Sequence, residues 1–252
     1  MAAVELSAIT YNIHKGFSGE GRRRFVLSRM REALAGSGAD VVFLQEAQGE
    51  HRLHAQRMEE WPGTAQFEFL ADSIWPHHAY GKNAVYDHGH HGNAILSRYP
   101  LLQWENIAVS PYPFAASRSL LHASIQVPGR DVIVHLLCIH FGFIGLERRG
   151  QIRRMCDRIE QHIPHDDPLI VAGDFNDWTG RAERDFNAGL ELTEVYRSMT
   201  GRHARTWPAW APLLPMDRIY ARGIEAMRAE RLDGPPWEDL SDHAPLQAWF
   251  RL

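Results

Sequence analysis

Residues 168–178 read PLIVAGDFNDW, an apolar run followed by an acid and an amide. The run at 168–172 predicts a buried strand, because a short continuous apolar segment suits burial on both faces of a sheet. Asp174 and Asn176 are two positions apart and therefore project to the same side of an extended chain. One can handle a proton or a metal ion, and the other can donate a hydrogen bond to a phosphate oxygen. The stretch therefore predicts that a catalytic or metal-binding site lies at the end of a strand.

Length and composition place limits on the fold and the function. The chain has 252 residues, 44% hydrophobic and 23% charged, with a net charge of −4 when the fifteen histidines are counted neutral. Such a chain can bury one large core, and no linker rich in Gly, Ser or Pro divides it, so residues 1–252 are predicted to form a single domain. The charge balance gives no support to a strongly basic nucleic-acid surface. No leader and no membrane-spanning segment is evident, which predicts a cytoplasmic location, and the oligomeric state is left open.

Strand-like apolar segments alternate with amphipathic ones, which predicts layered α/β packing. Strands are predicted over 4–12, 40–45, 93–96, 120–127, 132–140, 216–220 and 244–250, and helices over 22–35, near 51–61, over 145–163 and shortly after Trp178. A turn at 127–131 joins two strands as a hairpin, so the sheet is expected to be mixed. Residues 71–91, rich in His, Gly, Asn and Tyr, are expected to form an irregular surface loop over the site. The two cysteines, Cys138 and Cys156, do not indicate a disulfide framework.

Polar residues also lie at the ends of other predicted strands. The ordered set is Asn12, Glu46, His140, Gly173-Asp174-Phe175-Asn176, Asp217-Arg218-Ile219 and Ser241-Asp242-His243. It resembles the endonuclease/exonuclease/phosphatase superfamily of metal-dependent phosphoesterases, and the match spans residues 10–245. The resemblance implies a four-layer α/β/β/α sandwich of two packed mixed β-sheets with helices outside. It also implies that the motif loops meet at one end of the sandwich.

Phosphodiester hydrolysis needs a cation for the phosphate oxygens, a group that orients and deprotonates water, and help for the leaving oxygen. Hard ions such as Mg²⁺ prefer carboxylate, carboxamide and water oxygens. Glu46, Asn12 and Asp242 are the ligands available by this logic, with Mn²⁺ as a substitute cation. The structural alternatives are a solvated charge for Glu46 and a turn-forming amide for Asn12.

Histidine is suited to moving protons near neutral pH when a carboxylate fixes its orientation. The resemblance pairs His243 with Asp217, as a general base or as a phosphate-stabilising imidazole, and puts His140 opposite, toward the leaving group or a non-bridging oxygen. It implies that Asp174 positions the attacking water and that Asn176 holds a phosphate oxygen.

Two further residues are candidates for binding the substrate phosphate. Asn12 is one of them, and Arg118 could reach the phosphate bidentately, although a solvated residue at a strand start is an equal alternative.

Two differences from the apurinic/apyrimidinic endonucleases indicate which branch of the superfamily this chain resembles. Those enzymes usually carry an acid two residues after the first Asn, where this chain has His14, and they typically use a pocket tyrosine. The segment Cys138-Ile139-His140 is more similar to the histidine-bearing branches, which include pancreatic-type deoxyribonucleases, bacterial sphingomyelinases and inositol-phosphate phosphatases.

Three other residue patterns could indicate a functional site. For each of them we favour a purely structural explanation or give it equal weight. His77, His78, His88, His90 and His91 match no closed zinc site and are assigned to a polar loop. The arginines of the 145–163 helix, namely Arg148, Arg149, Arg153 and Arg154, are assigned to a solvated face rather than to a membrane or nucleic-acid surface. Trp207 and Trp210 could form a lipid-facing or base-stacking lip, or cap the core.

The sequence as a whole predicts a Mg²⁺-dependent phosphoesterase that hydrolyses a phosphodiester, with a phospholipid or small-molecule diester favoured and peripheral membrane contact allowed. A DNA or RNA nuclease is the alternative. A catalytically silent binding module on the same fold is a further alternative, against which the retained acidic and imidazole positions argue.

Overall fold

The computed structural model describes residues 5–19, 23–112, 117–130, 132–181 and 189–252. The strands are β1 (Glu5–Asn12), β2 (Val41–His51), β3 (His77–Tyr86), β4 (Gly89–Ser97), β5 (Leu101–Ala108), β6 (Ser119–Gln126), β7 (Ile133–His140), β8 (Leu169–Asp174), β9 (Thr193–Glu194), β10 (Asp217–Arg222), β11 (Glu225–Arg231) and β12 (Leu246–Arg251). The helices are α1 (Leu27–Ser37), α2 (Arg52–Arg57), α3 (Gln66–Ala71), α4 (Gly145–His162), α5 (Val195–Thr200) and α6 (Trp237–Leu240), with a 3₁₀ turn at His14–Gly16.

The described strands form two six-stranded sheets. The first has the order β11-β12-β1-β2-β4-β3 and the second the order β5-β6-β7-β8-β10-β9. One neighbouring pair in each sheet is parallel, β1 with β2 and β7 with β8, and the remaining pairs are antiparallel. Both sheets are therefore mixed, as the resemblance implied.

Three apolar cores separate four layers. The central core lies between the two sheets and includes Phe43 from β2 and Leu136 from β7. A second core packs the other face of the first sheet against α1, α3 and α6, and a third packs the second sheet against α4. Because each sheet is buried on both faces, its central strands are nearly continuous apolar runs. The predicted four-layer α/β/β/α sandwich is confirmed.

The outer helices follow from apolar residues at helical spacing. Leu27, Met30 and Leu34 are buried on one face of α1, and Gly38, at φ +68°, ends it in the left-handed conformation that glycine adopts without strain. In α4 the buried stripe includes Ile152, Met155 and Ile159, as predicted.

Residues 71–91 were wrongly predicted to be an irregular loop. They include β3 and the start of β4, which pair as an antiparallel hairpin. The strands β5 and β11 were not predicted at all. Both are edge strands in which no residue is buried, so they lack the apolar alternation by which a strand is recognised in sequence. The short helix predicted after Trp178 lies outside the described residues.

Arg148 was wrongly assigned to the solvated face of α4. Its side chain is buried, and Nη1 donates to the backbone oxygens of Gly142 at 3.2 Å and Phe143 at 3.0 Å. Arg149, Arg153 and Arg154 are exposed, as predicted. Within the described residues, no helix has the length and apolar character needed to cross a membrane.

Candidate functional site

Strand register brings three predicted site residues side by side. Asp174 is the last residue of β8, and it lies directly opposite Asp217, the first residue of β10. In the parallel pair formed by β7 and β8, Asp174 also lies opposite His140, the last residue of β7. The pairing of backbone strands therefore fixes these three side chains at one end of the second sheet.

Asp174 is the centre of the polar cluster. Its Oδ2 accepts a hydrogen bond from Asn12 Nδ2 at 3.2 Å and lies 3.4 Å from His140 Nε2 and 3.9 Å from His243 Nε2. Its Oδ1 accepts from the Asn176 backbone N–H at 2.9 Å. Asn12 ends β1 of the first sheet, so the contact with Asp174 joins the two sheets at the site.

His243 is held by Asp217. The distance from His243 Nδ1 to Asp217 Oδ2 is 2.7 Å, and Thr206 Oγ1 accepts from the Asp217 backbone N–H at 3.1 Å. The other oxygen, Asp217 Oδ1, is buried and has no hydrogen-bond partner among the described residues. This arrangement directs His243 Nε2 toward Asp174.

The buried charges shift one another's pKa values. Burial disfavours the cationic form of His243, but Asp217, Asp174 and Asp242 together outweigh it and raise the pKa of His243 to about 10. Burial raises the pKa of Asp174 toward neutrality, and Asp217 adds to this effect against the lowering influence of His243. The imidazole is therefore positively charged at neutral pH, whereas the Asp174 carboxyl gains a proton more readily than an exposed aspartate does.

His140 is held in its neutral form. Burial and the neighbouring Arg118 lower its pKa. Arg118 Nη1 lies 3.4 Å from His140 Nδ1, and because a guanidinium can only donate, Nδ1 accepts and Nε2 carries the proton that points toward Asp174. Arg118 thus reaches the predicted site through His140.

Asn176 has an unusual backbone conformation at φ +49°. Its Nδ2 donates to the Phe141 carbonyl oxygen at 2.8 Å, which leaves one of the two Nδ2 hydrogens available. Its Oδ1 is buried and has no partner in the described part of the chain.

Glu46 lies on the first sheet, at φ +57° within β2. Burial opposes its ionisation, but His140 and Lys15 outweigh this and lower its pKa. Lys15 Nζ forms a direct ion pair with Glu46 Oε2 at 2.5 Å. Glu46 is therefore ionised, and its charge is close enough to His140 to interact with the cluster.

Asp242 is more peripheral than the other predicted ligands. Its Oδ2 accepts from Trp207 Nε1 at 3.4 Å, and its Oδ1 lies 3.7 Å from His14 Nδ1. The preceding residue, Ser241, donates from Oγ to the Asn12 backbone oxygen at 2.7 Å and so ties this segment to β1.

The described structure contains one group of acidic and histidine side chains with metal-ligand spacing, formed by Asp174, Asp217 and His243, whose ligand atoms lie within 4.8 Å of one another. The five histidines at 77–91 form no such group in the described residues.

Two residues near the site were missed. Lys15 could have been noticed as one of only two lysines, three positions after Asn12. Asn93 is fully buried, and its Nδ2 donates to the backbone oxygens of Ser119 at 3.1 Å and Cys138 at 3.3 Å. The only signal in sequence was a carboxamide at the start of an apolar strand.

Comparisons with known proteins show the family and the fold of the chain. The sequence matches the profile of the Endonuclease/Exonuclease/phosphatase family over residues 9–243. It is 42% identical over 244 residues to the uncharacterised protein YbhP of Escherichia coli K12, an alignment that covers 97% of this chain and 95% of YbhP.

Two solved structures illustrate the likeness of fold. The endonuclease/exonuclease/phosphatase from Beutenbergia cavernae DSM 12333 superposes with a TM-score of 0.80 at 20% identity, covering 98% of this chain and 72% of that one. D. rerio TDP2 in complex with a single-strand DNA product superposes with a TM-score of 0.69 at 18% identity, covering 98% of this chain and 99% of TDP2. At these identities the likeness concerns the fold alone.

Proposed function

Because the chain belongs to the endonuclease/exonuclease/phosphatase family, we propose that it is a phosphoester hydrolase that cleaves a phosphodiester with Mg²⁺ as its cofactor. The observation that carries the proposal is the buried cluster in which Asp174 contacts Asn12, His140 and His243 while Asp217 binds His243. Two carboxylates and two imidazoles buried at this spacing cost desolvation energy that a binding surface has no need to bear.

One observation supports a divalent cation at this site: Glu46 is ionised although its side chain is only partly exposed. Oxygen donors of Glu46, Asn12 and Asp242 would hold Mg²⁺, since His243 already uses Nδ1 to bind Asp217 and imidazole is not a preferred ligand of this ion. When bound, the ion would neutralise phosphate charge and acidify a water molecule.

We assign proton transfer to Asp174 and His140, which end two strands of the second sheet. Asp174 orients the attacking water and accepts its proton, which the raised pKa of this carboxyl favours. His243, held as a cation by Asp217, stabilises the charge that develops on the phosphate oxygens. His140 carries its proton on Nε2 and donates toward the leaving oxygen or a non-bridging oxygen.

Phosphate binding is assigned to three polar side chains around the cluster: Asn12, Asn176 and Arg118. Asn176 has one Nδ2 hydrogen available, and Arg118 is held beside His140. A guanidinium in this position can bind two phosphate oxygens at once.

The favoured substrate is a small-molecule diester or a phospholipid. Large apolar side chains are exposed at the start of α4 and on loops next to the strand ends that carry the site, including Phe143, Leu146, Trp178, Trp210 and Leu213. Such side chains suit an apolar substrate group or peripheral contact with a lipid surface.

A nuclease activity is the second candidate. The observation in its favour is that TDP2, which shares the fold, was solved with a single-strand DNA product. The net charge of −4 gives it no additional support.

The proposal is tested by assaying purified protein on a chromogenic phosphodiester with Mg²⁺ and with Mn²⁺. Asp174→Asn and His243→Ala should remove the activity without changing the fold, whereas His165→Ala, a matched change on an exposed histidine, should keep it. If wild type is inert with both metals on diester, monoester, phospholipid and nucleic-acid panels, the silent binding module becomes the correct assignment.

A further inference from the structure

A cavity lies next to the candidate catalytic cluster. It has a volume of about 330 Å³ and is formed by the start of α4 and the loop after β8. The lining residues with charged or aromatic side chains are Phe143, Arg148, Arg149, Asp177, Trp178 and Arg181. Among the described residues, the cavity therefore combines three guanidinium groups with two aromatic rings and one carboxylate.

The positive charge of this cavity is only partly neutralised. Arg148 lies 3.9 Å from Asp177 Oδ1, and the same carboxylate also lies 3.5 Å from the buried Arg218. In the described part of the chain, Arg149 and Arg181 form no ion pair within 4 Å and are exposed. An excess of guanidinium over carboxylate in a partly enclosed space favours an anion, and a phosphate is the anion that guanidinium groups bind bidentately.

The cavity is continuous in sequence with the catalytic cluster on both sides. Asp177 directly follows Asn176, and Phe143 is three residues after His140. Burial lowers the pKa of Arg148, and the Asp174 carboxylate is close enough to oppose this effect. A substrate held at the cluster could therefore place a neighbouring group in the cavity.

The aromatic side chains suit the organic part of such a substrate. Trp178 is 45% exposed, and its ring lies 5.5 Å from the Arg148 guanidinium carbon, which keeps one side of the ring against a cation and leaves the rest accessible. Phe143 is exposed on the opposite loop. Aromatic surface beside a guanidinium favours a planar or apolar group attached to an anion.

We propose that this cavity binds a second phosphate group of the substrate, so that the protein prefers small phosphodiesters that carry an additional phosphate near the one that is cleaved. The inference rests on the proposed function for the reaction, but binding of the second phosphate does not require hydrolysis. Arg149 and Arg181 contact the second phosphate directly, and Arg148, fixed by Gly142 and Asp177, supports the wall behind it.

The test measures binding of two probes that differ by one phosphate, thymidine 3′,5′-bisphosphate and thymidine 5′-phosphate, by isothermal titration calorimetry. Wild type should bind the bisphosphate about tenfold more tightly, which corresponds to one good phosphate contact. The double variant Arg149→Ala/Arg181→Ala should lose this preference and bind both probes equally. The matched control, Arg153→Ala/Arg154→Ala, removes the same charge from the exposed face of α4 outside the cavity and should keep the preference.

Equal binding of both probes by wild type, or a preference that survives in Arg149→Ala/Arg181→Ala, would overturn the inference. The chromogenic diester, which has one phosphate, should be hydrolysed by this variant at the wild-type rate. If wild type hydrolyses no diester but still prefers the bisphosphate, the proposed function fails while the phosphate-binding cavity stands, so the two failures are distinguishable.

Discussion

Asp217 shows how one side chain sets the state of another. It binds His243 Nδ1 at 2.7 Å and keeps that imidazole protonated, so the charge of His243, which lies between α6 and β12, depends on a residue of β10. An asparagine at this position would keep the shape of the side chain but remove its charge.

We therefore expect Asp217→Asn to lower kcat by about 10²–10³, the usual range for loss of a group that stabilises charge in the transition state. The pKa of His243 should fall from about 10, because the negative charge that raises it is gone. NMR titration of the histidine ring protons measures this shift independently of activity. A kcat within a few-fold of wild type, with an unchanged His243 titration, would contradict the assignment.

Gly173 is required by its surroundings. Its φ is +149°, and an added Cβ would overlap the backbone carbonyl of Ile139 on the neighbouring strand. We expect Gly173→Ala to lower the free energy of unfolding by about 2–4 kcal/mol, from strain and overpacking together. Urea unfolding measures the change. The matched control is Gly36→Ala within α1, where the added Cβ meets no atom, and there we expect stabilisation of about 0.5–1 kcal/mol.

Among the strands, those buried on both faces were predictable and those at the edges were not. The apolar run ending at Asp174 predicted β8 because both faces of that strand are covered. The edge strands β3, β5 and β11 carry polar side chains, and only their partners in the sheet give them extended structure. The candidate site residues could be proposed from sequence because most of them lie at or beside the end of an apolar strand, but the contact of Asn12 with Asp174 requires both sheets to be assembled. No local pattern contains that information.

Away from the site, His122 of β6 and His135 of β7 take part in a chain of hydrogen bonds that are all donated in the same direction. Arg158 Nη2 donates to His122 Nδ1 at 3.3 Å, His122 Nε2 then donates to His135 Nδ1 at 2.9 Å, and His135 Nε2 donates to Asp167 at 3.3 Å. The chain is complete only when both imidazoles are neutral. Burial, together with His135, Arg158 and His162, lowers the pKa of His122 to about 3.

This chain should make stability depend on pH. His122 is neutral in the folded protein but gains a proton below about pH 6.5 in the unfolded chain, so its contribution is complete above that pH and is lost as the pH falls toward 3. At pH 5 the loss is on the order of 2 kcal/mol, from 1.36 kcal/mol per pH unit. Unfolding of wild type and His122→Gln between pH 7 and pH 5 measures it, and the variant should lose less stability over this range. Parallel pH profiles for the two proteins would disprove the assignment.

For the whole molecule, the two sheets are joined through polar contacts that cross the central core. Gln45 Nε2 on the first sheet lies 3.3 Å from Cys138 Sγ on the second, and the thiol donates to the Leu44 oxygen at 3.4 Å. Cys138 is fully buried, and burial raises its pKa to about 12. The thiol therefore becomes reactive only when the two sheets separate.

Labelling with a thiol reagent should accordingly report global unfolding. In native protein only Cys156, which is partly exposed, should react quickly, and Cys138 should react at the rate of unfolding. The Cys156→Ser variant isolates the Cys138 signal, measured as a function of urea concentration. Rapid reaction of Cys138 in the absence of denaturant would mean that the sheets open locally.

The pairing of β1 with β12 also has a consequence for the timing of synthesis. Asn12 is translated long before β12, the neighbour of its strand, and long before the catalytic candidate His243. A nascent chain that stops before Ser241 has an incomplete first sheet and lacks one of the two imidazoles of the cluster. The cluster that the proposed hydrolase would use is therefore complete only after β12 has been translated.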